Sequence, residues 1–287
     1  MIIGALYTLA LQPLWLLYAY STVLSFFVHR VFRYRLKVVR RNLRNAFPEK
    51  SESELRRIEA QFYRYFCDNV VETIKLLHIS DRQIKKRITL ENQELVYQLI
   101  DQGRPIILYL GHYANWEWVQ SMIIMLREPK VMGALYKPLR NKVMDRVMLR
   151  IRSRFNLICI PTKTAYRRLL EIRRHNPSFM IGFIADQRPT GNSVKHWTEF
   201  MGQPTAYLTG GEVIGSRVDA NYLYVEAERV KRGHLVLRYK KMEPDADDRG
   251  EYPYSRLFLR MLEQTIRRAP AYWLWSHKRW SAVPPRV

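Results

Sequence analysis

Ile106-Ile107-Leu108-Tyr109-Leu110-Gly111-His112-Tyr113-Ala114-Asn115-Trp116-Glu117 is the stretch on which the fold turns. The five apolar residues after Pro105 predict a buried strand, because β-branched and aromatic side chains suit a pleat covered on both faces. Gly111 permits a sharp turn, and Asn115 is a candidate N-cap for a helix through Trp118, Val119, Met122, Ile123 and Leu126. His112 then falls in the turn and Glu117 in the first helical turn. Inside one helix, residues five apart stand roughly 140° apart around the axis and could not meet. With His112 outside the helix, a Glu117–His112 hydrogen bond becomes feasible. The carboxylate would orient the imidazole while the other ring nitrogen faces a substrate as general base.

Downstream the pattern repeats. Apolar runs at 106–110, 131–135, 157–160 and 179–185 read as strands, with helical patterns between them at about 116–127, 139–155 and 163–174. Such alternation predicts an α/β fold with a mostly parallel central sheet flanked by helices. A polar cluster follows each run: His112 to Glu117, Tyr136-Lys137-Pro138, Pro161-Thr162-Lys163 and Asp186-Gln187-Arg188-Pro189. A parallel sheet gathers all four at its carboxyl edge, where α/β proteins build their sites. Further on, 221–230 and 234–241 read as a hairpin around Lys231-Arg232-Gly233, and 254–268 as a helix.

Upstream, Ser51-Glu52-Ser53-Glu54 is a capping box opening a helix with apolar positions from Leu55 to Ile74. Residues 79–90 are polar and basic and read as a connection, and Glu94 to Gln102 as a second helix closed by Gly103. At the N-terminus, Ile2 to Val28 contains no charged residue. As one helix it would reach about 40 Å, enough for a hydrocarbon core of about 30 Å. Pro13 interrupts it, which leaves a kinked or re-entrant helix open. The uncharged start does not resemble a cleavable signal peptide. Arg30, Arg33, Arg35, Lys37, Arg40, Arg41 and Arg44 follow with no acid before Glu49, a flank that stays cytoplasmic and grips anionic lipid.

Lys and Arg number 48 against 26 acids, a formal charge of +22. That excess draws anionic partners. Nucleic acid is not among them, since no finger, helix-turn-helix or RNP pattern is present and the uncharged N-terminal run opposes it. The two cysteines, Cys67 and Cys159, lack metal-type spacing and read as reduced core residues. No metal or other cofactor is implied.

The motif Gly111-His112-Tyr113-Ala114-Asn115-Trp116-Glu117 resembles the His-x4-Asp/Glu motif of the glycerolipid and lysophospholipid acyltransferase superfamily. More narrowly it is similar to the late, Kdo-dependent lipid A biosynthesis acyltransferases. The likeness includes Asn42-Leu43-Arg44-Asn45-Ala46-Phe47-Pro48-Glu49, Tyr136-Lys137-Pro138, Asp186-Gln187 and Trp275-Ser276-His277-Lys278-Arg279-Trp280. Lys137 stands where that branch commonly has Arg, and Arg188 where it often has an acid.

The resemblance implies a bacterial inner-membrane enzyme, with residues 1–29 as anchor and 30–287 as an acyltransferase domain on the cytoplasmic side. His112 would act as general base and Glu117 as its orienting acid, moving an acyl chain from acyl-carrier protein, or acyl-CoA, to a hydroxyl of a phosphorylated glycolipid. A lysophospholipid or aminolipid acceptor is the alternative, and a membrane-bound scaffold the non-enzymatic one.

Arg146, Arg150 and Arg154 form a solvated or lipid-facing stripe at i, i+4 and i+8, whereas Arg152 stands apart from it near Asp145. Arg152 is therefore the candidate phosphate clamp, at the position where the family has a functional Arg; a structural pair with Asp145 is the competing reading. Asp186 is expected to fix that Arg or a site loop, or else to be a turn acid. Gln187, Lys137 and Asn115 complete the candidate substrate-binding set, Lys137 with a surface role and Asn115 with a capping role as alternatives. Trp116, Trp118, Trp273, Trp275 and Trp280 read as core or membrane-interface residues.

Overall fold

The computed structural model describes residues 2–128, 131–191 and 194–281. The apolar N-terminal run is not one rod. It forms α1 (Ile2–Leu11) and α2 (Leu14–Phe26), broken at Pro13, and ends in a π-helical turn at Phe27–Val31. Proline lacks the N–H that helix continuity needs. Among the described residues, Leu14–Val31 is the one helical segment long and apolar enough to cross a membrane.

α3 (Leu36–Ala46) leads to α4 (Glu52–Lys75), opened by the expected capping box: Ser51 Oγ accepts from Glu54 N at 3.3 Å and Glu54 accepts from Ser51 N at 2.9 Å. α4 buries more than its apolar stripe. Glu59, Asp68, Asn69, Glu72 and Lys75 are all buried, and each is a joint to another part of the chain, as polar groups away from water must be. Glu59 holds His29 and Arg40, Asp68 holds Ser21, and Glu72 accepts from Tyr18 and Asn115. Lys75 donates to the carbonyls of Ala10 and Gln12, the free C-terminal end of α1.

The supposed connection at 79–90 instead folds. It holds α5 (Asp81–Lys85) and β1 (Ile88–Glu91), an edge strand short and polar enough to hide its alternation. Then come α6 (Gln93–Asp101), β2 (Ile106–Leu110), α7 (Trp116–Val119) continued by a 3-10 turn, β3 (Met132–Tyr136), α8 (Lys142–Arg152), β4 (Ile158–Pro161), α9 (Ala165–His175) and β5 (Met180–Ile184). A two-stranded ribbon, β6 (Trp197–Phe200) with β7 (Gln203–Ala206), precedes α10 (Gly210–Arg217), β8 (Asn221–Lys231), β9 (His234–Lys241) and α11 (Pro253–Arg268).

Seven strands form the main sheet in the order β1-β9-β8-β2-β5-β3-β4, parallel at every pairing but β8–β9. The expected α/β class and mostly parallel sheet are what the chain adopts. All five residues of β2 are buried, as a central parallel strand covered by helices requires. β5 inserts between β2 and β3, so the carboxyl ends of β2 and β5 lie side by side.

Candidate active site

β2 and β5 pair in register, Leu110 opposite Ile184. Two residues beyond each stand His112 and Asp186. His112 Nδ1 lies 2.7 Å from Asp186 Oδ1, and the His112 backbone N–H donates to Oδ2 at 3.0 Å. Trp273 Nε1 donates to the same Oδ2 at 2.7 Å. Asp186 is 2% exposed. Burial opposes its ionisation, but the electrostatic pairing with His112 and the donors from His112 and Trp273 outweigh it and hold the carboxyl below its ordinary range. A carboxylate at Nδ1 places the imidazole proton there and leaves Nε2 as an acceptor. The amide nitrogen of Gln187 lies 3.1 Å from that Nε2, and Trp116 meets the ring edge-on at 5.0 Å.

The turn carrying His112 is fixed on three sides. A Cβ on Gly111 would come within 2.8 Å of Leu262 Cδ1 on α11, so the close approach of that helix requires glycine. Ala114, at φ +47°, turns its carbonyl to Tyr65 Oη at 2.5 Å and Asn69 Nδ2 at 3.1 Å on α4. Ala114 N donates to the Tyr272 carbonyl, and Leu274 N to that of His112.

Glu117 has a different partner from the one expected. It binds Arg152 through two hydrogen bonds, Nε to Oε2 at 3.0 Å and Nη2 to Oε1 at 2.5 Å. The expected Glu117–His112 hydrogen bond is not made: Glu117 leaves the first turn of α7 toward α8, while Nδ1 of His112 is covered by the chain after β5. Arg152 pairs with Glu117 and not with Asp145, whose carboxylate accepts from Leu139 N. The guanidinium edge that would have forked onto phosphate is thus occupied, leaving Nη1. Asp186 fixes the loop of His112, not Arg152.

The remaining candidates separate cleanly. Gln187 sits against the imidazole. Asn115 is 2% exposed and caps α7 through Oδ1 to Trp118 N at 3.1 Å, with its amide nitrogen on Glu72. Lys137 is exposed on the loop after β3. Of the Arg stripe, Arg146 and Arg150 are exposed, Arg150 stacking on Tyr7 of α1, while Arg154 reaches the Ile79 carbonyl. Trp118, Trp273 and Trp275 are core residues. Both cysteines are free, and burial raises both thiols, Cys67 to about 12, so neither offers a thiolate.

A cavity of about 550 Å³ opens beside this constellation, between α4, α8 and α1. Leu6, Phe66, Ile74, Leu77, Met144 and Met148 supply much of its apolar lining; Trp116, Glu117, Gln187 and His277 also face it, as do Arg35, Asn69, Thr73 and Ser276. Its lining is mostly apolar, and Gln187 and Trp116 connect it to His112. His277, missed as a site residue, accepts from the Arg188 N–H and is held neutral by burial, which lowers it to about 4. Trp273 and Tyr65 were missed as supports; spacing gives no sign of either.

Comparison with known proteins gives the family. A family model described as bacterial lipid A biosynthesis acyltransferase matches residues 1–282. The chain is 24% identical over 253 residues to the lipid A biosynthesis palmitoleoyltransferase of Escherichia coli K12, covering 87% of this chain and 80% of that protein. It is 22% identical over 289 residues to the lipid A biosynthesis lauroyltransferase of the same organism, covering 99% and 92%. A lipid A biosynthesis acyltransferase of Shigella flexneri matches at 24% over 253 residues.

Proposed function

The chain belongs to the bacterial lipid A biosynthesis acyltransferase family, and from that premise we propose that it moves a fatty acyl chain from acyl-carrier protein to a hydroxyl of a phosphorylated lipid A precursor at the inner membrane. The observation that carries this reading is an imidazole held at Nδ1 by a buried carboxylate, with its Nε2 on the amide of Gln187, a residue that lines a largely apolar cavity.

In this mechanism the acceptor hydroxyl displaces Gln187 from His112 and gives its proton to Nε2 as the oxygen attacks the thioester carbonyl. The C–O bond forms, the C–S bond breaks, and the departing thiolate takes the proton from the imidazolium. Asp186 holds the tautomer and stabilises the imidazolium, as the carboxylate of a triad does. Glu117 acts through Arg152: it keeps the guanidinium ionised and oriented, with Nη1 toward the acceptor phosphate. The acyl chain lies in the cavity. A protein of charge +22 suits an acidic carrier as donor.

The test is direct. Purified protein, acyl-carrier protein loaded with laurate or palmitoleate, and a phosphorylated lipid A precursor are combined, and the lipids are weighed by mass spectrometry. One added acyl chain is expected with wild type and none with His112→Ala. Acylation of a lysophospholipid but not of the glycolipid would sink the acceptor assignment.

A further inference from the structure

A second cavity, about 460 Å³, lies on the other side of α4. Arg64 of α4, Arg229 and Lys231 of β8, and Arg232 of the β8–β9 turn converge on it, against one acid, Asp68. Asp68 already holds Arg229 at 2.7 Å and Arg232 at 2.5 Å. Arg64 and Lys231 have no acidic partner among the described residues. Tyr65, whose hydroxyl is fixed on the Ala114 carbonyl, stands between this cavity and the His112 turn, so its cations belong to another task than acyl transfer.

Gln61 and Tyr272 also line it, and α2 forms one wall through Thr22 and Ser25. Its inner side is tied to the domain by polar contacts: Ser21 Oγ donates to Asp68 at 2.7 Å, Tyr18 Oη to Glu72 at 2.8 Å, and Arg232 Nη2 to the Tyr18 carbonyl at 3.0 Å. On its outer side Trp15, Val23 and Phe26 are 70%, 59% and 60% exposed. Were α2 to cross a bilayer in this arrangement, Asp68, Glu72 and Arg232 would enter hydrocarbon with it, where polar and charged groups are costly. Were it to leave the domain, those groups would lose partners. An apolar outer face flanked by cations instead matches the boundary between acyl chains and anionic headgroups.

We propose that this cavity seats the phosphate of an anionic phospholipid, and that α2 lies along the bilayer surface instead of passing through it. The site stands whether or not the acyl acceptor is as assigned above.

Flotation of the full-length protein with vesicles of phosphatidylcholine alone, and of phosphatidylcholine with phosphatidylglycerol, tests it. Arg64→Ala/Lys231→Ala removes two cations that hold no carboxylate, and should weaken binding to the phosphatidylglycerol vesicles about tenfold or more, leaving the weaker binding to neutral vesicles in place. Arg167→Ala/Arg174→Ala removes equal charge from exposed positions on α9 and should leave affinity within about twofold. Equal losses from the two pairs would mean diffuse charge and overturn the site. Stabilisation of wild type by inorganic phosphate, together with undiminished vesicle binding by the Arg64/Lys231 variant, would make it a free-anion site and overturn the lipid assignment. For orientation, a protease site fused ahead of Met1 should be cut in sealed inside-out membrane vesicles, on the side of the catalytic domain. Cleavage only after detergent shows that the segment crosses, and removes the in-plane reading.

Discussion

His112 and Asp186, 74 residues apart in the chain, stand each two residues past a register pair of neighbouring parallel strands, and the 2.7 Å contact between them follows from that register. Asp186→Asn keeps the shape of the side chain but removes the charge that stabilises the imidazolium. We expect kcat to fall by roughly 10²- to 10⁴-fold with KM little changed, by analogy with triad acids. Combined with His112→Ala, the loss should not exceed that of His112→Ala alone by much, because the two act as one unit. Steady-state kinetics on both variants and the double variant decide it; additive losses would separate the two residues.

Glu117 should behave differently. Its removal leaves Arg152, 26% exposed in its side chain, without a partner. Breaking a fully buried pair costs about 3–5 kcal/mol; partial exposure here brings the expectation to roughly 1–3 kcal/mol for Glu117→Ala. Denaturant unfolding of Glu117→Ala, Arg152→Ala and the double variant measures the coupling. A Glu117→Ala protein as stable as wild type would show that the pair contributes nothing to the fold.

Acid should weaken the protein through His277. Its imidazole titrates near 4 in the folded state, against an ordinary 6.5. Between those values the unfolded chain binds a proton that the folded chain does not, so stability rises with pH. The contribution is complete above about 6.5, declines as pH falls toward 4 and levels off below. His277→Gln, able to accept from Arg188 N without titrating, should flatten that part of the profile of unfolding free energy against pH. An unchanged slope would assign the acid sensitivity to other groups.

Gly111→Ala places a methyl within 2.8 Å of a Leu262 methyl. Overpacking of this kind costs about 1–3 kcal/mol. Leu262→Ala creates a cavity of its own, yet the double variant should be more stable than the sum of the single losses predicts. Thermal unfolding of the three proteins checks the coupling, and strict additivity would place the strain elsewhere.

The parallel core was legible because strands covered on both faces read as continuous apolar runs, and the clusters after them mark the carboxyl edge. Which clusters meet was not. Sequence order suggests β3 as the neighbour of β2, but β5 takes that place, so Asp186 reaches His112 while Glu117, nearer in sequence, turns to α8. Pro13 correctly signalled the break in the N-terminal run. β1 and the β6–β7 ribbon escaped notice because each is four residues per strand, with too little alternation to stand out. Trp273 is unreadable as a carboxylate's donor without the 272–274 segment lying beside Tyr113.

α1 faces two ways: Leu6 lines the cavity beside His112 and Gln187, while Leu9 and Leu11 are 37% and 57% exposed. On the proposed function, with the acyl chain in this cavity and the bilayer against the exposed N-terminal helices, the two are separated by the width of a single helix. A twelve-carbon tail leaving through water would pay roughly 0.8 kcal/mol for each methylene, on the order of 10 kcal/mol in all, and would make hydration the slow step of turnover. A tail that slips past α1 never gets wet. Turnover in a bilayer should then depend weakly on chain length, whereas in sparse detergent each added carbon slows release.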